Sequence, residues 1–278
     1  MLVCFSHLRW NFVWQRPQHL MARFARMMPV MVVEEPESGG PARVEVAQHD
    51  AVTTLTPHLP AGPCGFGPAV NPAIAHLIAP LLAERDDGEP PIVWLYTPMA
   101  LGAAPPAIER GLVVYDAMDE LANFRGAPRG LAEREAAVLA RADLVFAGGP
   151  SLYDARRQRH PAVHCFPSGV DAAHFAGAAN GIARPDDLNA RPKPIVGFYG
   201  VIDERIDLAL IDAVAGRRPE WTLAMIGPVA KIAAADLPRR PNIAWLGKRE
   251  YARLPNYLAC FDVAILPFAR NAATRFIS

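Results

Sequence analysis

The sequence predicts an α/β protein built from two doubly wound parallel-sheet domains. Three observations carry that expectation. Short apolar runs without charge, such as LVCFS at Leu2–Ser6 and IVWLY at Ile92–Tyr96, alternate with amphipathic stretches along the chain, the rhythm of buried parallel strands and crossover helices. That rhythm lapses between Ala176 and Pro194, where Ala, Gly, Asn, Asp and Pro dominate in the manner of a linker. It resumes with IVGFYGVIDERIDLALI at Ile195–Ile211. There a five-residue apolar strand breaks at Gly200, whose missing Cβ permits a tight turn, and feeds a helix.

This last stretch is the first candidate site. Asp203 fits an N-cap, and apolar residues follow at Ile206, Leu208, Leu210, Ile211 and Val214, a helical spacing. A strand that turns at glycine into a helix N-terminus aims backbone N–H groups and the helix dipole at one point, which suits an anion. Arg205 falls in the expected first turn, where a cation opposes the dipole unless something negative is bound. It reads either as a phosphate ligand or as a surface arginine paired with Asp203 or Glu204.

Charge and composition narrow the function classes. Lys plus Arg is 28 and Asp plus Glu is 28, so no basic excess draws nucleic acid. Hydrophobic residues are 51% of 278, enough core for two domains of ordinary size. No apolar run approaches the ~18 residues of a transmembrane segment, and the N-terminus lacks the regions of a signal peptide. Cys4, Cys64, Cys165 and Cys260 are far apart and form no CxxC pair, against both a zinc knuckle and a disulfide framework. The expectation is a soluble cytoplasmic protein.

Taken in order, strand Leu2–Ser6 leads into a loop with Trp10, Phe12 and Trp14, at the strand end where α/β sheets place ligands. These rings read either as sugar-stacking surfaces or as packing beneath the loop. RPQHLMARFARMM follows as a helix with Pro17 near N1 and an apolar face of Leu20, Phe24, Met27 and Met28. Its other face, with Arg16, Arg23 and Arg26, is a solvated basic face or a peripheral membrane or acceptor surface. Further strands are expected at Val30–Glu34, Ala51–Thr56, Ile92–Tyr96, Leu112–Tyr115, Asp143–Ala147 and Ala162–Phe166, with helices at Pro72–Glu84, Leu131–Arg141 and Pro150–Arg159. A Gly/Pro-rich loop spans Ala61–Pro68. Beyond the linker come Trp221–Ile226 into Gly227-Pro228, Ile243–Leu246 into Gly247, a helix around Ala252–Cys260 and a strand Asp262–Pro267. Three of these strands end in Gly- or Pro-bearing turns at one sheet edge, which makes a lined crevice.

Asp116, Asp119 and Glu120 form the densest carboxylate cluster. They read as a metal clamp, as carboxylates positioning a hydroxyl, or as an N-cap with its first-turn acids. Ser151 and His160 lack a nucleophile elbow, and neither GxGxxG nor a Walker A loop is present.

The segments WQRPQHLMARF, VVYDAMDELANF, RADLVFAGGPSLYDARR, PSGVDAAHF, GFYGVIDERIDLALI, AMIGPV and NIAWLGKREYARLPNYLACFDVAILPF occur in the order of a known family. The chain resembles glycosyltransferases of the GT-B fold, the "glycosyltransferase group 1" type of bacterial surface polysaccharide and glycolipid biosynthesis. The resemblance implies two Rossmann-like domains, 1–175 and 195–278 joined by 176–194, facing each other across a cleft. It implies a saccharide or lipid-linked acceptor on the first domain and a nucleotide-diphosphate sugar on the second. It also implies transfer to an acceptor hydroxyl with retention, no cofactor and no metal, and a place in the cytoplasm or at the inner membrane face. Arg205 resembles the family's phosphate-contacting basic residue, with Lys231 as a second contact. Gly200, Gly227 and Gly247 end the donor-side strands, Gly247 in the turn where the nucleotide base sits. Asp116 and Asp119 would shape the acceptor side. Two departures stand out. SHLRWNFVWQRP replaces the family's glycine-rich first turn, and the chain ends at ATRFIS before the family's carboxylate-bearing motif, two strands and a crossing helix. The second domain is therefore expected to be incomplete, with Val263–Leu266 as an open, association-prone edge and no activity in the fragment. The alternatives are a nucleotide-sugar epimerase of the same architecture and a non-catalytic nucleotide- or glycan-binding remnant.

Overall fold

The computed structural model describes residues 1–60, 65–85, 88–179 and 181–277. Part of the expected Ala61–Pro68 loop, with Cys64, lies outside them. The chain divides into two compact units, Met1–Ser168 with Phe276 and Ile277, and Gly169–Arg275.

The first unit runs β1 (Leu2–Ser6), α1 (Arg16–Phe24), β2 (Val30–Glu34), β3 (Glu37–Ser38), β4 (Arg43–His49), β5 (Val52–Leu59), α2 (Asn71–Ala83), β6 (Ile92–Leu95), β7 (Leu112–Ala117), α3 (Leu131–Arg141), β8 (Leu144–Ala147), α4 (Pro150–Arg156) and β9 (Val163–Cys165). Among the described residues the sheet order is β3-β5-β2-β1-β6-β7-β8-β9, with β4 antiparallel on β5. β1 sits at its centre and every one of its residues is buried. Its alternate side chains serve two cores, as the strand period of two requires. Val3 and Phe5 pack with Met31, Val33, Leu55, Ile74, Leu95 and Val113 on one face. Leu2 and Cys4 pack with Val30, Val32, Trp94, Tyr96 and Met21 of α1 on the other.

Three details differ from the sequence expectations. α1 ends at Phe24, so the helical period no longer governs the residues after it. Met21 is fully buried in place of Met27, which is 70% exposed. The strand β4 was not foreseen. It is a mostly exposed antiparallel edge in which the alternation of Val44 and Val46 with charge is too short to announce a strand, joined to β5 through Asp50 at φ 51. β7 runs two residues past Tyr115 and takes Asp116 into the sheet, so Asp116 is neither a loop residue nor an N-cap.

The second unit holds α5 (Ala172–Ala176), α6 (Asp186–Asn189), β10 (Ile195–Tyr199), α7 (Leu208–Arg217), β11 (Thr222–Ile226), β12 (Ile243–Gly247), α8 (Leu254–Leu258) and β13 (Val263–Ala264). Its parallel order, β12-β11-β10-β13, repeats the 3-2-1-4 start of the first unit's winding and of doubly wound sheets generally. Among the described residues β13 pairs with β10, and Val263 and Leu266 are 52% and 75% exposed. α7 starts later than expected. Its N-cap is Asp207, whose carboxylate accepts from the Leu210 N–H at 2.8 Å, so Asp203 is not the cap and Arg205 is not in a helical turn. No helix of the described residues is long and apolar enough to cross a membrane.

The units meet in sequence at Ser168 and Gly169, ahead of the boundary expected at 175. Within the expected linker, residues 181–194 pack on the second unit through Leu188, fully buried beside Ile195, Ala224 and Tyr257. Leu188→Ala is therefore expected to cost about 2–5 kcal/mol, as for a core leucine. A loose linker would give less than about 0.5 kcal/mol, and denaturant unfolding distinguishes the two.

Candidate functional site

At the carboxyl edge of the second unit's sheet, three strands end on glycine. The Gly200 N–H donates to Ile226 O at 2.9 Å, and the Gly227 N–H donates to Gly247 O at 2.9 Å. These bonds complete the ladders of β10, β11 and β12 just where their side chains stop. A Cβ on Gly227 would stand 1.7 Å from the Gly200 carbonyl oxygen, so only glycine permits this approach. Gly247 has a left-handed φ of +68° and nothing within 4 Å of an added Cβ. The result is a backbone ledge that a large ligand can approach closely. The ladder continues past it, with the Ile202 N–H donating to Pro228 O and the Ala230 N–H to Ile202 O, both within 3.0 Å.

Both expected cations lie on this extension, each beside an acid. Arg205 donates from Nε to Asp203 Oδ1 and Oδ2 (2.9 and 3.1 Å) and from Nη2 to Oδ2 (2.8 Å). This is the pairing its second reading described, and Asp203 is buried while the Arg205 side chain is 21% exposed. Lys231 holds a left-handed φ of 61°. Its Nζ lies 4.0 Å from Glu204 Oε1.

The carboxyl edge of the first unit's sheet is arranged differently. Register aligns Glu34 with Ser6, and Asp116 with Phe146 and then His164. Tyr96 follows Leu95, the partner of Tyr115, and so comes beside Asp116. Arg16 of α1 donates from Nε to Asp116 Oδ2 at 2.9 Å and from Nη1 to Phe166 O at 2.5 Å. Asp116 is fully buried and the Arg16 side chain is 9% exposed, so Arg16 leaves the solvated basic face expected of it. Burial pushes the Asp116 carboxyl up; Arg16 opposes this without cancelling it. Burial, then Asp116, likewise raises the Cys4 thiol and the Tyr96 hydroxyl.

The acidic cluster does not converge. Asp119 lies half-buried in the turn after β7, while Glu120 accepts from Arg156 Nη2 at 3.1 Å. Arg156 also donates to Glu135 at 2.5 Å, and Glu135 accepts from Arg159 and from the Tyr115 hydroxyl. Burial would raise Glu135, but Arg156 and Arg159 outweigh it and hold its carboxyl below the usual range. Among the described residues no group of three His, Cys, Asp or Glu side chains could hold a metal ion.

The aromatic loop is tied down from beneath. Glu34 accepts from the Trp10 N–H (2.6 Å), from Arg9 (3.1 Å) and from Thr56 (2.8 Å). Trp10 is buried in the core, with Trp14 meeting it edge-on at 5.8 Å and 37% exposed. Glu34 and the Arg16–Asp116 pair escaped the sequence reading. One signal was available for the pair. A cation at the first position of a helix opposes the dipole, and for Arg16 that points to a nearby acid.

Two units, each a mainly parallel doubly wound sheet, have the Rossmann-like architecture of the GT-B fold. Relatives and like-folded structures agree. The chain is 27% identical over 230 residues to TuaH of Bacillus subtilis (strain 168), described as a teichuronic acid biosynthesis glycosyltransferase, with 74% of this chain and 56% of that protein aligned. It thus spans little more than half of that relative's length. Sucrose-phosphate synthase from Thermosynechococcus elongatus superposes with a TM-score of 0.69 at 16% identity, over 98% of this chain and 76% of that one. Anabaena HepE, in complex with UDP and glucose, gives 0.58 at 18% identity over 95% and 73%. A UDP-forming alpha,alpha-trehalose-phosphate synthase from Burkholderia xenovorans gives 0.60 at 13% over 92% and 76%. No family model matches the chain.

Two measurements check this geometry. Gly227→Ala should destabilise the protein more than Gly247→Ala, since it adds about 1–3 kcal/mol of overpacking to the backbone strain of positive φ that both share. Thermal melts of the pair decide it. Asp116→Ala should cost about 3–5 kcal/mol by leaving the buried Arg16 guanidinium without its acceptor. Folded Asp116 also holds its proton more tightly than the unfolded chain's aspartate. As pH falls through its raised folded value toward the ordinary one, this group favours folding. The stability gap between wild type and Asp116→Ala should therefore widen with acidification, as urea titrations across pH would show.

Proposed function

We propose that this protein is a glycosyltransferase that moves a sugar from a UDP-sugar to an acceptor hydroxyl, with retention and without a metal. The observation that carries the reading is the glycine ledge of Gly200, Gly227 and Gly247 with Arg205 and Lys231 on its extension. The ledge admits a nucleotide against bare backbone, and the two cations neutralise the diphosphate as it leaves, a charge that develops in the transition state. Asp203 and Glu204 keep those cations placed until a ligand arrives. On the first unit, Asp119 contacts the acceptor directly and Asp116 acts through Arg16, which it holds. The acceptor in this reading is a saccharide or lipid-linked saccharide, and TuaH is described as a glycosyltransferase of teichuronic acid biosynthesis.

The choice of UDP is supported by like-folded proteins described as UDP-forming or bound to UDP. The epimerase and remnant alternatives draw no support from these relatives, each described as a synthase or transferase or holding UDP with glucose. Metal independence is supported by the commitment of Asp116 to Arg16, which removes it from any clamp with Asp119.

Calorimetric titration with UDP, followed by UDP-sugar turnover with and without chelator, tests the reading. UDP should bind, and Arg205→Ala should weaken it roughly 10- to 100-fold, the worth of a charge-assisted contact. Equal affinity in the variant would return Arg205 to a purely structural pair with Asp203. Activity lost to chelator and restored by magnesium or manganese would overturn the metal-free mechanism.

A further inference from the structure

Two contacts reach from the segment before β10 to the turn that follows β12. On α6, Asp187 Oδ2 accepts from the Tyr257 hydroxyl at 3.1 Å and from Arg249 Nη2 at 2.9 Å, while Arg249 Nε donates to the Tyr257 oxygen at 2.6 Å. The three side chains close a ring of hydrogen bonds around a buried tyrosine hydroxyl. On α5, the His174 ring stacks on Tyr251 with centroids 4.2 Å apart and planes within 10°. Its Nε2 donates to the Tyr251 carbonyl at 3.0 Å. The turn 248–251, just past Gly247, is therefore gripped near both ends. Phe175, next to His174, stacks on Tyr199 at 5.8 Å and meets Tyr251 edge-on at 5.9 Å. The same grip thus reaches the last residue of β10, immediately before Gly200.

A chain segment that only joined two units would need neither a buried leucine nor a carboxylate closing such a ring. Residues 169–179 and 181–189 instead lie as a splint against the third glycine turn. Four of its side chains, His174, Phe175, Asp187 and Leu188, bind it there.

We propose that Asp187 and His174 are positioning residues that fix the turn after Gly247 in the form that receives the nucleotide, and so raise affinity without touching the ligand. The proposal rests on the nucleotide reading given above. Its physical basis is pre-organisation. A site whose competent form is populated only in part loses affinity by that fraction, and ordering a loop in advance removes the cost from the binding step.

The test uses the 278-residue chain and two readouts, amide hydrogen exchange in the absence of ligand and calorimetric titration with UDP. Asp187→Asn and His174→Ala should speed exchange across residues 247–253 while leaving β10 and β11 protected and the melting temperature close to wild type. UDP affinity should fall roughly tenfold if the competent turn drops to about a tenth of the molecules. Tyr257→Phe should reproduce part of the loss, and Asp187→Glu, which keeps the carboxylate, should restore most of it. Absence of UDP binding in the wild type overturns the nucleotide reading. Wild-type binding combined with unchanged exchange or unchanged affinity in Asp187→Asn and His174→Ala overturns the splint and leaves the nucleotide reading standing.

Discussion

A parallel sheet must satisfy its last backbone groups beyond the ends of its strands, because a buried N–H or C=O without a partner costs as much as a lost hydrogen bond. In the second unit that need is met by glycine. The Gly200 and Gly227 N–H groups bond Ile226 and Gly247, and the approach of Gly227 to the Gly200 carbonyl leaves no room for a Cβ. The ledge, the placement of Arg205 and Lys231, and the opening at Gly247 all follow from this. A side chain at Gly227 would part the strands at the place where a ligand is to be held.

The first unit meets the same need with charge. Its carboxyl edge buries Asp116 against Arg16 and lashes the aromatic loop to Glu34. Buried ion pairs stabilise poorly against apolar replacements, yet losing one partner is costly. Their value here is geometric. Arg16 joins a helix, a strand and the carbonyl of Phe166, so three elements far apart in sequence are fixed by one guanidinium. The Arg156, Glu135 and Glu120 network does the same for the turn after β7.

The splint on the third glycine turn belongs to the same logic. The ledge itself is rigid because it is sheet backbone, whereas the turn beyond Gly247 is loop and has no ladder to hold it. Asp187 and His174 supply that hold from a segment with no strand of its own.

What the sequence determined by itself is the architecture. Short uncharged runs rich in β-branched and aromatic residues and bounded by glycine, such as Ile195–Tyr199, read as buried strands, their alternation with helices dictates parallel winding, and glycine at the end of three of them marks the ledge. These signals are local, carried by neighbouring residues and their periods. The tertiary structure decided which charges meet. Arg16 and Asp116 are a hundred residues apart, Asp187 and Arg249 are 62 apart, and no spacing rule links either pair. It also decided that Asp207 rather than Asp203 caps α7, since the cap depends on where the chain leaves the sheet. The segment 176–194 looked like a linker because its composition is that of a loop. Its single buried leucine and its one ring-closing carboxylate are too sparse to form a period, and only packing against Tyr257 and Arg249 reveals them.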